Sequence, residues 1–363
     1  LLLALAFVLV LAVSASATST PTRKLKHAGG PITALAIDGA RVIYSTDGNG
    51  VYVWNVQSGT TARVRSPSQS DFPRIGQVAI AGQRVAWITD DVAGNSMETN
   101  ENLVTTALGR YGTRTLAHAF RYFDLELGQW RGDWIGGLVG SGKLLAVNTW
   151  STTPDAETGT EAISNARLSR LALSSGQVQR IAAGDSAIVS KSVDAGQVAV
   201  LRSTGSVAGS VGIYTAAGVP LREITPDPAV DIALTGGRLV VLTKSPQRLE
   251  VYDTTSGVLE HSWALKTEHP YAVGNLRAYR RLAVFAVGIG RLTRSMRLFD
   301  LQTGRSLVLP WRDRSAWNDA SVGPLGVVYA VNDYRAYHPH RPSGTLVFLS
   351  TARVVKGIAR GHL

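Results

Sequence analysis

The sequence has 363 residues and contains no cysteine. This absence excludes disulfide bonds, thiolate metal sites, cysteine nucleophiles and lipid attachment through an N-terminal cysteine. A P-loop, a dinucleotide fingerprint after a strand, a Gly-x-Ser-x-Gly elbow and a His-Glu-x-x-His helix are also missing. The sequence therefore indicates no catalytic residues, no cofactor and no metal, and it leaves open whether the protein is an enzyme.

The sequence contains no local cluster of like charges, although basic residues outnumber acidic ones. The formal net charge is +11 and the sequence pI is about 10.1, which favours weak attraction to anionic polymers. No block of five or six like charges occurs, and no zinc-finger or RNA-recognition signature is present. We therefore expect a diffusely basic surface and no specific nucleic-acid partner.

Long apolar runs are confined to the start of the sequence. LLLALAFVLVLAVSASA ends in Ala15-Ser16-Ala17, the small-x-small pattern of a signal-peptidase site. The run is shorter than the roughly 20 residues that span a bilayer. We expect residues 1–17 to be a signal peptide and the protein to be secreted or extracytoplasmic, with no transmembrane span after cleavage. An uncleaved anchor is the alternative.

One pattern recurs through the remainder, most clearly in VDIALTGGRLVVLTKSPQRLEVYDTTSGVLEHSWAL at Val230–Leu265. Alternating apolar stretches broken by Gly-Gly, Ser-Pro and Ser-Gly predict four short strands and three tight turns. Six further copies follow the same plan. The first-hairpin glycines are spaced by 43, 60, 54 and 41 residues, near or above the period of a propeller repeat, and they are Gly39, Gly82, Gly142, Gly196 and Gly237.

The copies EVYDTTSGVLEHSW and YVWNVQSGTT resemble the repeats of WD-type and quinoprotein-type β-propellers. The Gly-His and Trp-Asp pair of WD repeats is absent, and no quinone-binding set can be placed, so the resemblance implies a scaffold only. We expect an all-β fold, a seven-bladed β-propeller of four-stranded antiparallel blades, preceded by the signal peptide. A polar N-terminal segment at 18–30 then leads into one propeller domain at 31–363.

Two strand assignments remain open from the sequence. The outer strand that closes the ring is either Arg23–Ala28 or Arg353–Ile358. The third strand of the second blade is either Asn102–Leu108 or Tyr122–Gly128, whose YFDLELG resembles LFDLQTG in the sixth copy. Spacing favours Asn102–Leu108.

Three insertions distinguish the second and third copies, at Thr89–Asn102, Phe120–Asp133 and Trp150–Asn165. Propeller connectivity places all three on one face, and insertions gathered on one face often form a binding face. Aromatic rings beside amides and carboxylates suit sugar rings. The aromatic candidates on this face are Trp130, Trp134, Trp150, Tyr271 and Trp317.

Polar residues also begin several inner strands beside the expected central channel. They are Gln77, Asp231, Asn275 and Asp319. Two carboxylates facing across a channel could act as general acid and base, and the alternative is that they bond to neighbouring backbone. His338 and His340 are two residues apart, as metal ligands can be, but no third ligand is evident. Asp253 and Asp300, each four residues before a turn glycine, are expected to fix their turns.

The leading hypothesis is a secreted, non-catalytic propeller that binds a protein or an anionic or glycan polymer of the cell envelope through its loop-rich face. The rival is a glycan hydrolase or lyase with carboxylates at the channel mouth. A third hypothesis is that the ring presents surface within a larger assembly.

Overall fold

The computed structural model describes residues 22–27, 30–66, 74–92, 97–110, 112–155, 160–172, 175, 177–184, 187–204, 207–244, 246–265, 273–289, 293–309, 319–333 and 343–363. The expected signal peptide lies outside these residues. So do Tyr271, Trp317, His338 and His340.

The first part of the described chain contains thirteen strands. Twelve of them form two sheets, and β1 belongs to the last sheet of the molecule. Strands β2 to β5 form one four-stranded antiparallel sheet, and β6 to β13 form a single eight-stranded sheet. The strands are β1 (Arg23–His27), β2 (Ile32–Asp38), β3 (Arg41–Thr46), β4 (Val51–Asn55), β5 (Thr61–Arg65), β6 (Arg74–Ala81), β7 (Arg84–Val92), β8 (Glu98–Ala107), β9 (Arg114–Asp124), β10 (Gln129–Ser141), β11 (Leu144–Asp155), β12 (Thr160–Leu171) and β13 (Val178–Gly184).

The remaining described residues form fifteen strands and one helix. Strands β14–β17, β18–β21 and β22–β25 make three four-stranded sheets, and the last sheet has the order β1-β28-β27-β26. The elements are β14 (Ile188–Asp194), β15 (Gln197–Thr204), β16 (Val207–Thr215), β17 (Pro220–Ile224), β18 (Ala229–Thr235), β19 (Arg238–Thr243), β20 (Arg248–Asp253), β21 (Leu259–Ala264), β22 (Val273–Tyr279), β23 (Leu282–Ile289), β24 (Thr293–Asp300), β25 (Ser306–Val308), β26 (Ala320–Gly323), β27 (Gly326–Asp333), β28 (Ser343–Ser350) and α1 (Thr351–Arg360).

The inner strands are apolar on both faces, whereas the outer strands are polar. In β19 five of six residues are buried, whereas in β21 none is buried. Each run of four strands, here called a unit, therefore has two apolar faces to cover, and only neighbouring units can cover them. The third strand of the second unit is β8, which confirms the Asn102–Leu108 assignment.

The core consists of clusters between neighbouring units. Among the described residues, apolar clusters join β2–β5 to β6–β9, β6–β9 to β10–β13, β10–β13 to β14–β17, and so on to the unit that contains β26. A further cluster joins that unit back to β2–β5 through residues such as Phe348 and Trp54. The first strands of successive units touch in the same cyclic order.

The ring is closed by a strand from the start of the domain. Strand β1 pairs antiparallel with β28, from Arg23 opposite Phe348 to His27 opposite Gly344. The closing strand is therefore Arg23–His27. The repeats predict that the propeller domain begins at residue 31. The last sheet nevertheless includes residues 23–27, which precede that predicted boundary.

The alternative closing strand, Arg353–Ile358, was wrong because this segment is helical. The Ser350 hydroxyl accepts a hydrogen bond from the Arg353 N–H and caps the first turn of α1, and Gly361 ends the helix with a φ of 79°. Val354 and Ile358, four residues apart, pack together against the core between β22–β25 and the last sheet. This spacing buries one side of a helix and is not the two-residue period of a strand.

Candidate functional site

Three long hairpins lie side by side at one end of the eight-stranded sheet. They connect β7 to β8, β9 to β10 and β11 to β12, and β10 reaches 13 residues. Glu98 pairs with Tyr122 and Gly132 pairs with Thr152, so the three hairpins form one continuous surface. The described residues of the predicted insertions are thus mostly strand and not loop, because their backbone groups complete the ladder. We call this end of the molecule the hairpin face.

The second and third units merge through the hairpin between β9 and β10. Four residue pairs, from Arg121 opposite Gly132 to Asp124 opposite Gln129, join the two strands. Gly132 has a φ of 124°, and a Cβ there would lie 2.3 Å from the Phe120 carbonyl oxygen. Only glycine fits this crossing point.

The turn of this hairpin explains the similarity of YFDLELG to LFDLQTG. Asp124 Oδ1 accepts hydrogen bonds from the N–H groups of Glu126 (3.1 Å) and Leu127 (3.3 Å). Asp253 and Asp300 hold their turns in the same way, as the sequence predicted. The shared motif therefore encodes a turn, and the Asp124 copy joins two units where the other copies join two strands of one unit.

A buried ion pair lies beneath the merged hairpin. Arg121 Nη1 lies 2.7 Å from Glu101 Oε1, and the two residues are only 7% and 8% exposed. Glu101 Oε2 also accepts the Ile135 N–H at 2.7 Å. Burial raises the pKa of the Glu101 carboxyl, although Ile135 and Arg121 act in the opposite direction. The pair ties β8, β9 and β10 together.

Tryptophan rings cover the Arg121 guanidinium. Its Cζ lies 3.8 Å from the centroid of Trp134 and 5.6 Å from that of Trp130. Trp134 in turn stacks on Trp150, with centroids 5.7 Å apart and an interplanar angle of 5°. The structure thus brings together the three predicted residues Trp130, Trp134 and Trp150, each half-buried.

A cleft of about 330 Å³ opens beside this stack. It lies where β9 and β10 separate below their paired segment, and we call it the fork cleft. Trp134 and Trp150 line it together with the polar side chains His118, Asp133, Ser151, Asn165 and Arg167.

Three of these five polar side chains, those of His118, Asp133 and Ser151, have hydrogen-bond partners in the protein. Asp133 Oδ1 accepts a 2.7 Å hydrogen bond from the Ser151 hydroxyl, and His118 Nδ1 lies 3.1 Å from Asn102 Oδ1. The indole Nε1 of Trp134 donates to Thr152 at 3.0 Å. The cleft therefore combines apolar ring surface with exposed donors and acceptors. Sequence reasoning placed the tryptophans and the insertions that contain Asp133, Ser151 and Asn165 on this face, but it missed His118 and Arg167, which come from β9 and β12.

Three of the four predicted inner-strand residues, Gln77, Asp231 and Asp319, bond to neighbouring backbone. Gln77 Oε1 accepts the Leu138 N–H of the next unit at 2.7 Å. Asp319 Oδ2 accepts the Leu35 N–H at 3.2 Å, and its Oδ1 accepts the Ala320 N–H at 2.9 Å. Burial raises the pKa of the Asp319 carboxyl, against the effect of these N–H groups and of a nearby arginine.

Asp231 bridges three units. Its Oδ2 accepts the Leu276 N–H at 2.7 Å, while its Oδ1 accepts the Ser190 hydroxyl at 2.5 Å and the Ile232 N–H at 2.9 Å. Asn275 is exposed, has a φ of 54° and lies where the register of β22 shifts. These contacts are the backbone-bonding alternative that the sequence left open.

Comparison with known proteins adds fold information. No family model and no curated protein matches the sequence. Many solved structures are similar, and three of them, at 10–14% identity, illustrate the likeness. The Cps50 (Swd1) β-propeller domain of Myceliophteria thermophila has a TM-score of 0.54 over 89% of this chain and 99% of that one, at 10% identity. A chain of the mitotic checkpoint complex has a TM-score of 0.54 over 96% and 99%, at 14% identity.

The third structure is the complex of KlAtg21 with the coiled coil of AgAtg16, at 10% identity and a TM-score of 0.55 over 84% of this chain and 94% of that one. The fold is that of a β-propeller. This confirms the resemblance seen in the repeats, and at these identities it carries the fold alone. Within the described part of the propeller, no helix is long and apolar enough to cross a membrane, and no group of three or more His, Asp or Glu could hold a metal ion.

Proposed function

We propose that the chain is a secreted, non-catalytic, seven-bladed β-propeller that binds a glycan segment of a cell-envelope polymer in the fork cleft. The observation that carries the proposal is the cleft itself, where the stacked rings of Trp134 and Trp150 meet the side chains of Asp133, Asn165 and Arg167. Aromatic rings with a few placed polar groups are the usual lining of a sugar site.

The count of seven treats the eight-stranded sheet as two blades. Two observations support it: the apolar cluster between β6–β9 and β10–β13, and the cyclic contacts of the inner strands. Secretion is supported by the apolar leader of the sequence. N-terminal sequencing of the exported protein tests it, with a mature start after Ala17 as the expected result.

The volume and the charge of the surface fit a sugar chain. A cleft of about 330 Å³ is at the lower end of the range for small-molecule sites, which suits one or two sugar rings. The net charge of +11 favours an anionic polymer. One similar structure is a complex of KlAtg21 with the coiled coil of AgAtg16, so binding of a protein partner on the hairpin face is the competing outcome of the test.

The rival hydrolase hypothesis has less support. Both oxygens of Asp231 and both oxygens of Asp319 accept hydrogen bonds that position strands. A carboxylate committed in this way is poorly placed to exchange a proton with a substrate.

The test is binding of the purified chain to fragments of envelope glycans, measured by titration calorimetry. We expect Trp150→Ala to weaken binding at least about tenfold, which corresponds to about 1.4 kcal/mol. Trp263→Ala is the matched control, because Trp263 is also half-buried and stacks on His261 at 5.1 Å but lies in another sheet. Unchanged affinity in Trp150→Ala, or binding of a protein partner with no glycan bound, would overturn the proposal.

A further inference from the structure

A second cavity occupies the central channel. It has a volume of about 520 Å³ and is lined by the turns that follow the first strand of several units, such as Gly142 and Gly196. These turns lie at the opposite end of the strands from the hairpin face. The cavity is therefore separate from the fork cleft.

Lys191, on β14, lies in the wall of this cavity and is only 8% exposed. Its Nζ donates a hydrogen bond to Asn148 Oδ1, the single acceptor that the described residues offer it. A Cβ on Gly137 would lie 2.6 Å from Nζ, so the missing side chain at 137 makes room for the amine. An ammonium group has three N–H donors, and two of them have no protein acceptor in the described part of the channel.

The groups around the amine favour its neutral form. Burial and, to a smaller extent, the charge of Arg277 on β22 lower the pKa of Lys191 to about 7, although Asp231 on β18 acts in the opposite direction. Asp231 is already bonded to three donors, and Asp319, the residue before β26, interacts electrostatically with Arg277. Asn148 and Gln77, on the other adjoining strands, are uncharged.

We propose that Lys191 is a carbonyl-capturing amine, which forms a reversible imine with a small aldehyde or ketone that enters the channel. The Nζ lone pair adds to the carbonyl carbon, and the carbonyl π electrons move to oxygen. The resulting carbinolamine then loses water, with both protons of the water coming from the amine. The products are one imine and one water, so no oxidant or reductant is required. This inference does not depend on glycan binding in the fork cleft.

A carbonyl compound should react with Lys191 in preference to the other lysines, because only a neutral amine has a free lone pair. An amine with the ordinary lysine pKa of about 10.4 is neutral in about one molecule in 2,500 at pH 7, whereas an amine with a pKa near 7 is neutral in about half. The neutral fraction thus differs by about a thousandfold. Among the described lysine side chains, the four others are exposed: Lys24, Lys143, Lys244 and Lys356.

The experiment incubates the full chain with glycolaldehyde and sodium cyanoborohydride at pH 7 and maps the reduced adducts by peptide mass spectrometry. The sequence contains only seven lysines, so each site can be followed. We expect Lys191 to be labelled at least tenfold faster than Lys143, which lines the mouth of the same cavity but is exposed. Labelling of Lys191 should fall about tenfold or more between pH 7 and pH 5, because protonation removes the lone pair.

Two variants complete the test. Lys191→Met should abolish the fast label, and Lys143→Arg should retain it. If Lys191→Met does not fold, the peptide map of the wild-type chain alone decides the matter. Equal labelling of Lys191 and Lys143, or no adduct at Lys191, would overturn the proposal and leave the glycan proposal untouched.

Discussion

The four-stranded sheet β18–β21 and the eight-stranded sheet β6–β13 come from the same repeat, but they join their neighbours differently. Sheet β18–β21 has strands of six or seven residues and contacts adjacent units through apolar clusters and the hydrogen bonds of Asp231. Sheet β6–β13 has strands of up to 13 residues, and backbone pairing between β9 and β10 fuses two units.

This difference shows where the molecule departs from a plain scaffold. The regular sheet packs mainly through aliphatic residues, together with Tyr252 and Trp263, and it has short turns. The fused sheet contains a buried ion pair, three tryptophans and the fork cleft. Natural proteins depart from local consistency mainly at functional sites. The comparison therefore supports the proposal that the ligand site lies in the fused sheet.

The largest effect that we expect comes from breaking the ion pair of the fused sheet. Arg121→Ala leaves the Glu101 carboxylate buried without its cation, which should lower the free energy of unfolding by roughly 3–5 kcal/mol. Chemical denaturation followed by tryptophan fluorescence measures it. The matched control is Arg131→Ala on the same hairpin, whose guanidinium lies 3.6 Å from Asp124 but is 44% exposed.

An exposed pair of that kind contributes about 0–1 kcal/mol. If Arg121→Ala cost no more than Arg131→Ala, the ion pair would not hold the fused sheet together. The contrast between the two sheets would then rest on β9–β10 backbone pairing alone.

We expect a smaller loss of stability when the hydrogen bonds of Asp231, which link the regular sheet β18–β21 to its neighbours, are removed. Asp231→Ala leaves the buried Leu276 N–H without its acceptor and leaves the Ile232 N–H with only the Ser190 hydroxyl at 3.4 Å, at a cost of about 1–3 kcal/mol. Asp194→Ala is the control, because Asp194 also bonds to the next unit but holds one exposed N–H, that of Gly236, at 2.7 Å. Thermal unfolding of the two variants compares them, and equal losses would show that Asp231 has no special part in joining units.

Much of the regular fold could be predicted from the sequence because its signals are local. Turn glycines, alternating apolar residues and the aspartates at positions 253 and 300 each act within a few residues. The helix α1 was missed because TARVVKGIAR has apolar residues at both strand and helix spacing. Its distinguishing signals were Ser350, a residue type that often begins a helix, and Gly361, a residue type that often ends one.

The candidate sites were less accessible to sequence reasoning because they depend on distant partners. Glu101 was expected in a polar loop, and it is buried only because Arg121 arrives on the next strand. Lys191 stands between two serines in β14, with nothing local to mark it. Its burial depends on Asn148 and Gly137, which lie on other strands of the ring.

The smallest change in stability that we expect concerns one turn that recurs between the first two strands of the units. Ala195 in the β14–β15 turn has a φ of 47°, and Gly236 occupies the equivalent place in the β18–β19 turn with a φ of 56°. The left-handed region costs an alanine roughly 1–2 kcal/mol, and the extra freedom of glycine in the unfolded chain offsets part of the gain. Ala195→Gly should therefore raise the free energy of unfolding by up to about 1 kcal/mol.

The reverse change, Gly236→Ala, should lower the free energy of unfolding by a similar amount, because a Cβ there meets no atom within 4 Å and only the backbone conformation is penalised. Denaturant midpoints measure both. If both variants shifted in the same direction, the two turns could not be equivalent copies, and the turn-by-turn alignment of the repeats would fail at this point.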